Sequence, residues 1–532
     1  MTEQRLAPTR SRPPRQGRPR RIVGVAIAAG LVFAAAGATR ATAAGEPVPG
    51  DTLVMGVQAP PSSLNPATVD VAFSEYTSIA YESLFYRAPD GTIEPSLAES
   101  WEYVGEGNTQ FDITLREGVT FTDGNPVDAE AVKASLDYVI GAGGSNAQFL
   151  AMVTSVDVTG PLTLSIMMSS PNPMLPELFT PKYALGQIIS PTGLADPDAL
   201  TVENATQGAG AYILNPGDTV AGDHYTYDAN PDYFDQSRQH YEQIVFQVIA
   251  DQQASMNALQ SGQIDITIGS AETVSIAEGA GVQIAQTPFV WQGLNLIDRG
   301  GEVSEPLGDV RVRQAINYAI DRETVSAALL GDYGVPTSTV TVEGGGGWSE
   351  AAATRYPYDP DMARELLAEA GYPDGFELDV LSVRFAGIDV MAEAVAGQLA
   401  EVGIDVSLTH ATDVGAYIGG ATDHSYAAVA VGYGAQPMFI MGPGLFLPSA
   451  PIFNGFGTES PELAELYAEA AAAAPDEQAA LDVQMQQYLV DEAWFAPVAF
   501  SPVFYYARTD LGGLSVSPEA PTADPLDWYD TE

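Results

Sequence analysis

Apolar and polar positions alternate at Phe111, Ile113 and Leu115, the two-residue period of a strand with one buried face. Thr52–Val57 is apolar almost without interruption and reads as a strand covered on both sides. Val153–Val158 and Leu162–Met168 flank Thr159, Gly160 and Pro161, which predicts a hairpin. Asp128 is placed to cap a helix whose apolar face is Val132, Leu136 and Val139. Further along, Asp359 is an N-cap, Pro360 fills the first helical position and Gly371 ends the helix. A strand follows over 376–383. The next helix runs through Met391, Ala394, Val395, Leu399 and Val402 to a stop at Gly403. Strands over 404–408 and 426–431 complete the pattern. Strand–helix alternation of this kind predicts a parallel sheet with helices on its faces, an α/β architecture. Ligands of such sheets sit beyond the carboxyl ends of the strands. Two segments hold that position: Arg384-Phe385, and Gly432 through Tyr433 to Gln436.

Composition narrows the classes. The 532 residues give room for about three domains or two large lobes. Hydrophobic residues make up 46% and charged residues 17%, which favours packed cores over disorder. With no cysteine there is no disulfide, thiolate metal site, cysteine nucleophile or lipid-bearing cysteine. Residues 1–43 differ from the rest. They hold eight Arg and a single acid, Glu3, then a 17-residue apolar run over 22–38, then Ala41-Thr42-Ala43. Basic, apolar and small segments in that order form a secretory signal. Its removal leaves 13 basic and 68 acidic residues, a net charge of −55. The only lysines are Lys133 and Lys182. So acidic a chain repels nucleic acid phosphates and anionic lipid, which excludes nucleic acid as a partner.

Catalytic motifs are missing from the sequence. It has no Gly-x-Ser-x-Gly, no His-Glu-x-x-His and no Walker loop, and Gly344–Gly347 lacks a following Lys-Ser/Thr, so it reads as a loop. The four histidines, His224, His240, His410 and His424, are too scattered to define a metal site. Aromatic residues in turns are more informative. Phe73 and Tyr76 follow Asn65-Pro66, Trp291-Gln292 precede Leu294, and Tyr433, Met438, Phe439 and Phe456 lie near the end of the third strand. Pockets are mostly apolar and aromatic with a few orienting polar groups, so these residues are candidate ligand contacts.

The chain resembles the extracytoplasmic solute-binding proteins of ABC importers, family 5, the peptide/nickel/oligopeptide class. The resemblance rests on Ser63-Leu64-Asn65-Pro66, Pro95 through Trp101, Phe111 through Gly118 leading into Val119 through Pro126, Gly208 through Tyr212, Ala258 through Asp265, and Asp309 through Asp321. It implies a two-lobed periplasmic-binding-protein clamshell of type II, with an extra subdomain in the first lobe. The implied boundaries are 51–95, 205–294 and 499–532 for the main part of lobe 1, 96–204 for the extra subdomain and 295–498 for lobe 2. Crossings are expected near Leu294–Leu296 and Ala496–Val498. The resemblance further implies a monomer that closes by hinge motion on a small-molecule or peptide ligand. It would deliver that ligand to ABC permease subunits at the outer face of the cytoplasmic membrane. No cofactor and no catalytic residue are expected.

Dipeptide-binding relatives present a carboxylate from a Gly-Trp-x-x-Asp segment to the ligand amine. Here Tyr433 stands for the Trp and Gln436 for the carboxylate. An amide cannot neutralise an ammonium, which argues against an ordinary peptide and toward a modified peptide or an opine-like acid. Arg384 aligns with the arginine those relatives use for a carboxylate, and a guanidinium suits that role. The candidate ligand-binding set is therefore Phe73, Tyr76, Trp291, Gln292, Arg384, Phe385, Tyr433, Gln436, Met438 and Phe439. Capture of a nickel chelate is the alternative within the family. An exported hydrolase is a third reading, and it lacks a recognisable nucleophile–base pair.

Overall fold

The structure, a computed structural model, describes residues 47–144 and 146–531. The export pattern of residues 1–43 lies outside the described residues.

One long sheet organises the molecule. Its strands are β1 (Gly50–Val57), β2 (Tyr212–Leu214), β3 (His224–Ala229), β4 (Tyr241–Val248), β5 (Ile266–Gly269), β6 (Gln283–Asn295), β7 (Phe376–Val383), β8 (Ile404–Ala411), β9 (Ala428–Gly434) and β10 (Phe495–Ala507). Across the sheet the order is β8-β7-β9-β6-β10-β5-β1-β4-β3-β2, with Val335–Pro336 paired to β10. The two longest strands, β6 and β10, pair antiparallel along their whole length and carry the chain between the two ends. The 283–287 part of β6 lies beside the part of β10 that joins β5, whereas Val290–Asn295 joins β9. A register shift between Pro288 and Val290 marks the changeover, opposite Ser501–Val503. The expected crossings at 294–296 and 496–498 lie to one side of it, inside the β9 end of the sheet.

That end follows the predicted alternation. β7 pairs in parallel with both β8 and β9, and the helix Ile388–Glu401 packs against all three strands' neighbourhood. Asp359 accepts a hydrogen bond from the Met362 amide, with Pro360 beginning the helix Pro360–Glu369. Gly375 enters β7 at φ +80°, and a Cβ there would stand 1.7 Å from the Gly403 carbonyl oxygen, so only glycine fits. The third strand differs from expectation: it begins at Ala428 and runs to Gly434, because hydrogen bonding to β6 extends it to the Val290–Gly434 pair.

A separate four-stranded antiparallel sheet orders Ala98–Tyr103, Gln110–Leu115, Thr163–Met168 and Val153–Gly160 side by side. The helix Ala129–Ala142 covers it, capped by Asp128 on the Ala131 amide and ended by left-handed Gly143. Phe111, Ile113, Leu115, Val132, Leu136 and Val139 share its core. Phe439, Ile440 and Ala471, distant in sequence, are buried in the same cluster. Asn108 Nδ2 donates to the carbonyls of Ala471 and Ala473, each at 2.9 Å. The two segments thus face one another across a narrow seam.

Candidate functional site

β9 ends at Gly434, and the chain turns through Ala435, Gln436 and Pro437 into a short helical stretch, Met438–Phe446. Tyr433 stands opposite Trp291 in the β6–β9 ladder, so both side chains lie on one face of the sheet. The Trp291 side chain is covered by Phe495, whose ring meets it edge-on at 5.6 Å. Tyr433 lies further out, edge-on to Phe453, with its hydroxyl over Gly444.

Beyond Tyr433 is a cavity of about 290 Å³. Phe149, Met152 and Leu178 line one side, and Tyr433, Phe439 and Tyr467 the other. Phe439 and Tyr467 stack with planes 8° apart, and the Tyr467 hydroxyl donates to the Phe439 carbonyl at 2.9 Å. This wall is therefore rigid and aromatic. Burial pushes the Tyr433 hydroxyl up to about 12, so it stays protonated.

Gln436 also lines a second cavity, of about 190 Å³. Its Oε1 accepts a hydrogen bond from the Tyr183 hydroxyl at 3.0 Å, a bond that spans the seam. Opposite Gln436 are Arg87, Glu177, Lys182 and Glu519. Glu177, 3% exposed, pairs with Arg87, and Lys182 Nζ lies 3.8 Å from Glu177 Oε1. Arg87 Nη1 donates to the Gly91 carbonyl at 2.6 Å. The buried Glu177 carboxylate thus faces two cations, and the exposed Glu519 carboxylate lies near Arg87. Burial, and then the Arg87 charge, lower the Lys182 amine to about 7. An arriving acid group would offset both effects. Arg87 and Lys182 also line a smaller space of about 60 Å³ beside Glu75, whose carboxyl burial raises to about 7.

The sequence-predicted residues divide sharply. Tyr433, Gln436 and Phe439 meet in the aromatic cavity. Tyr76 and Trp291 are fully buried and are corrected to core residues: Tyr76 packs on Tyr225 and Phe246 and donates to the Ala59 carbonyl. Phe73 packs half-buried against the same core, and Met438 is enclosed with Trp291. Gln292 is buried and spends its amide on the Ala386 carbonyl at 3.1 Å, so it holds a turn instead of facing a ligand. That turn leaves Arg384 exposed and Phe385 62% exposed, and neither lines any of these cavities. Arg87, Glu177 and Lys182 escaped the sequence reading. The one usable signal was the rarity of lysine, since Lys182 is one of only two.

Residues 92–442 match the bacterial extracellular solute-binding proteins, family 5 Middle, and the chain belongs to that family. The glutathione-binding protein GsiB of Salmonella paratyphi A is 29% identical over 350 residues, which is 63% of this chain and 64% of that protein's length. Among solved structures, the substrate-binding protein CtaP of Listeria monocytogenes superposes with a TM-score of 0.76 at 22% identity, covering 91% of this chain and all of that one. NikA of Brucella suis, solved with Fe(III)-EDTA, gives 0.76 at 23% identity over 90% of this chain and all of that one. The fold is the two-lobed, type II form of periplasmic binding proteins. Among the described residues no group of three or more His, Asp or Glu side chains is arranged to hold a metal ion, and no helix is long and apolar enough to cross a membrane.

Proposed function

We propose that the chain is the substrate-binding component of an ABC import system. It captures a small organic or peptide-like solute between two lobes and hands it to membrane permease subunits, performing no reaction on it. The lobes are 51–95 with 205–294 and 499–532, carrying 96–204 as an extra subdomain, and 295–498. The crossings between them lie near Leu294–Leu296 and Ala496–Val498, a few residues from the register shift at Pro288 and Val290. One observation carries this reading: two cavities, one aromatic and one charged, meet at Gln436 on the seam between residues 87–183 and 341–467. Family membership and the match to GsiB support it. The amino-terminal export pattern and the family's extracellular description support a place outside the cytoplasmic membrane.

The pairing of an aromatic chamber with Arg87 and Lys182 suits a ligand with an apolar body and at least one acid group. A polycarboxylate metal chelate meets the same charge requirement, and elemental analysis of protein from its native host separates it from a metal-free ligand. The test is mass spectrometry of the co-purifying compound, followed by X-ray scattering of stripped and reloaded protein. Closure predicts a smaller radius of gyration on reloading. Identical scattering curves with every compound recovered would reject the reading.

A further inference from the structure

The helix Pro461–Ala472 carries Tyr467, part of the aromatic wall, and ends without a cap of its own. Its last turn holds no basic side chain, and Ala473 follows in extended backbone instead of a left-handed turn. A continuing helix would offer the Ala471 carbonyl the amide of residue 475, but residue 475 is proline and has none. The donor comes from across the seam. Asn108 Nδ2 donates to the carbonyls of Ala471 and Ala473, each at 2.9 Å, and Ala471 is 4% exposed. A helix C-terminus carries partial negative charge, so the amide N–H groups meet it with the favourable sign.

Asn108 is itself held in place. It sits in the loop between the strands Ala98–Tyr103 and Gln110–Leu115 at φ +48°, a left-handed backbone that asparagine tolerates better than most residues. Its carbonyl accepts from the Asn172 amide at 3.0 Å. Asn172 is fully buried, and its Nδ2 donates to the Phe149 carbonyl at 3.4 Å. Phe149 lines the aromatic cavity on this side, and Tyr467, one turn before Ala471, lines it on the other. The bonded pair thus ties together the two walls of the cavity, while Asn108 lines none of the cavities described above.

We propose that Asn108 is a positioning residue, a helix cap supplied from the facing segment, which holds the closed arrangement of the seam without touching the ligand. The inference rests on the reading of this seam as one that opens. Parting the segments breaks both bonds and gives the two carbonyls to water, and closing remakes them. The bonds therefore bias the open–closed equilibrium by the same factor whatever compound is bound. The residues lining the cavities decide which compound that is.

The test is the distance between two spin labels in the ligand-free protein. The chain has no cysteine, so Glu130→Cys on the helix Ala129–Ala142 and Glu477→Cys on the helix Pro475–Asp491, both exposed, carry labels at those positions alone. This parent should show a closed distance and an open one. Asn108→Gly keeps the left-handed backbone and removes the amide, and Asn108→Asp keeps the shape but turns a carboxylate on the two carbonyls. Asn108→Gly should lower the closed-to-open ratio about tenfold, as the loss of two hydrogen bonds implies, and Asn108→Asp should lower it further. Glycine takes this backbone at no cost, so a residue kept only for the fold of its own loop would leave the ratio of Asn108→Gly unchanged. An unchanged ratio in either variant, or a parent that is wholly open, would overturn the proposal. Both results are compatible with lobe closure on a ligand. Failure of the broader reading is distinct, because then a single distance appears in every protein, with and without the compounds recovered from it.

Discussion

Two strand ends in the same parallel sheet had equal claims to the ligand, and the structure treats them differently. β7 and β9 are neighbours, and both point their carboxyl ends the same way. Beyond β9 the chain enters a helical stretch whose Phe439 and Ile440 are buried against the core of the four-stranded sheet. A second body of protein therefore roofs Tyr433 and Gln436. Beyond β7 the chain makes a left-handed turn at Ala386 and Gly387 and folds back into the helix Ile388–Glu401. Among the described residues no element roofs Arg384 and Phe385, and both stay exposed. Topology selects the strand ends that could bind. A pocket forms only where another element closes over one of them.

The largest expected effect is on the roofed end. Tyr433→Ala removes a half-buried ring from the aromatic wall, and loss of its contact area should weaken the co-purifying ligand about 10–100-fold in calorimetry. Retention of full affinity would place the ligand elsewhere. The stripped protein should melt as wild type does to within a few degrees, since Tyr433 is not enclosed as Trp291 is.

Next comes the charged chamber. Lys182 has a folded-state pKa of about 7, below its unfolded value of about 10.4. Its cost to the folded state is therefore absent above pH ~10.4, grows as pH falls toward 7 and levels off below. Lys182→Met should stabilise the ligand-free protein by about 1–2 kcal/mol at pH 6, the full cost being softened by water entry and relaxation, and by progressively less as pH rises past 7. Denaturant titration at several pH values reads this out. A pH-independent difference would mean that the amine is solvated and that the cavity does not hold it dry.

The fold was legible because its signals are local. The caps at Asp128 and Asp359, the stop at Gly403 and the strand–helix alternation from 360 to 431 depend on neighbours in sequence, and each appears where expected. The length of β9 was not local. Its extension through Gly434 is set by hydrogen bonds to β6, about 140 residues earlier. The candidate site followed the same rule. Tyr433 and Gln436 could be reached from strand order, and Phe439 from the aromatic residues beside that strand's end. Arg87, Glu177 and Lys182 could not, because nothing in their own segments says which cavity they will face. Aromatic content alone misled: Tyr76 and Trp291 have the composition of a pocket wall, but long-range packing encloses both.

The smallest expected effect tests the unroofed end. A guanidinium in water gains little from a carboxylate, because exposed ion pairs are worth roughly 0–1 kcal/mol. Arg384 is exposed and has no ion pair among the described residues, and Phe385 presents most of its ring to solvent. Gln292, by holding the Ala386 carbonyl, keeps this turn directed away from the cavities. Arg384→Ala and Phe385→Ala should therefore each leave ligand affinity within about twofold of wild type, as the weakness of exposed contacts requires. Gln292→Ala frees the turn without touching either side chain. If Arg384→Ala weakened binding tenfold, and did so only while Gln292 was intact, the β7 end would be part of the closed site and the distinction between the two strand ends would fail.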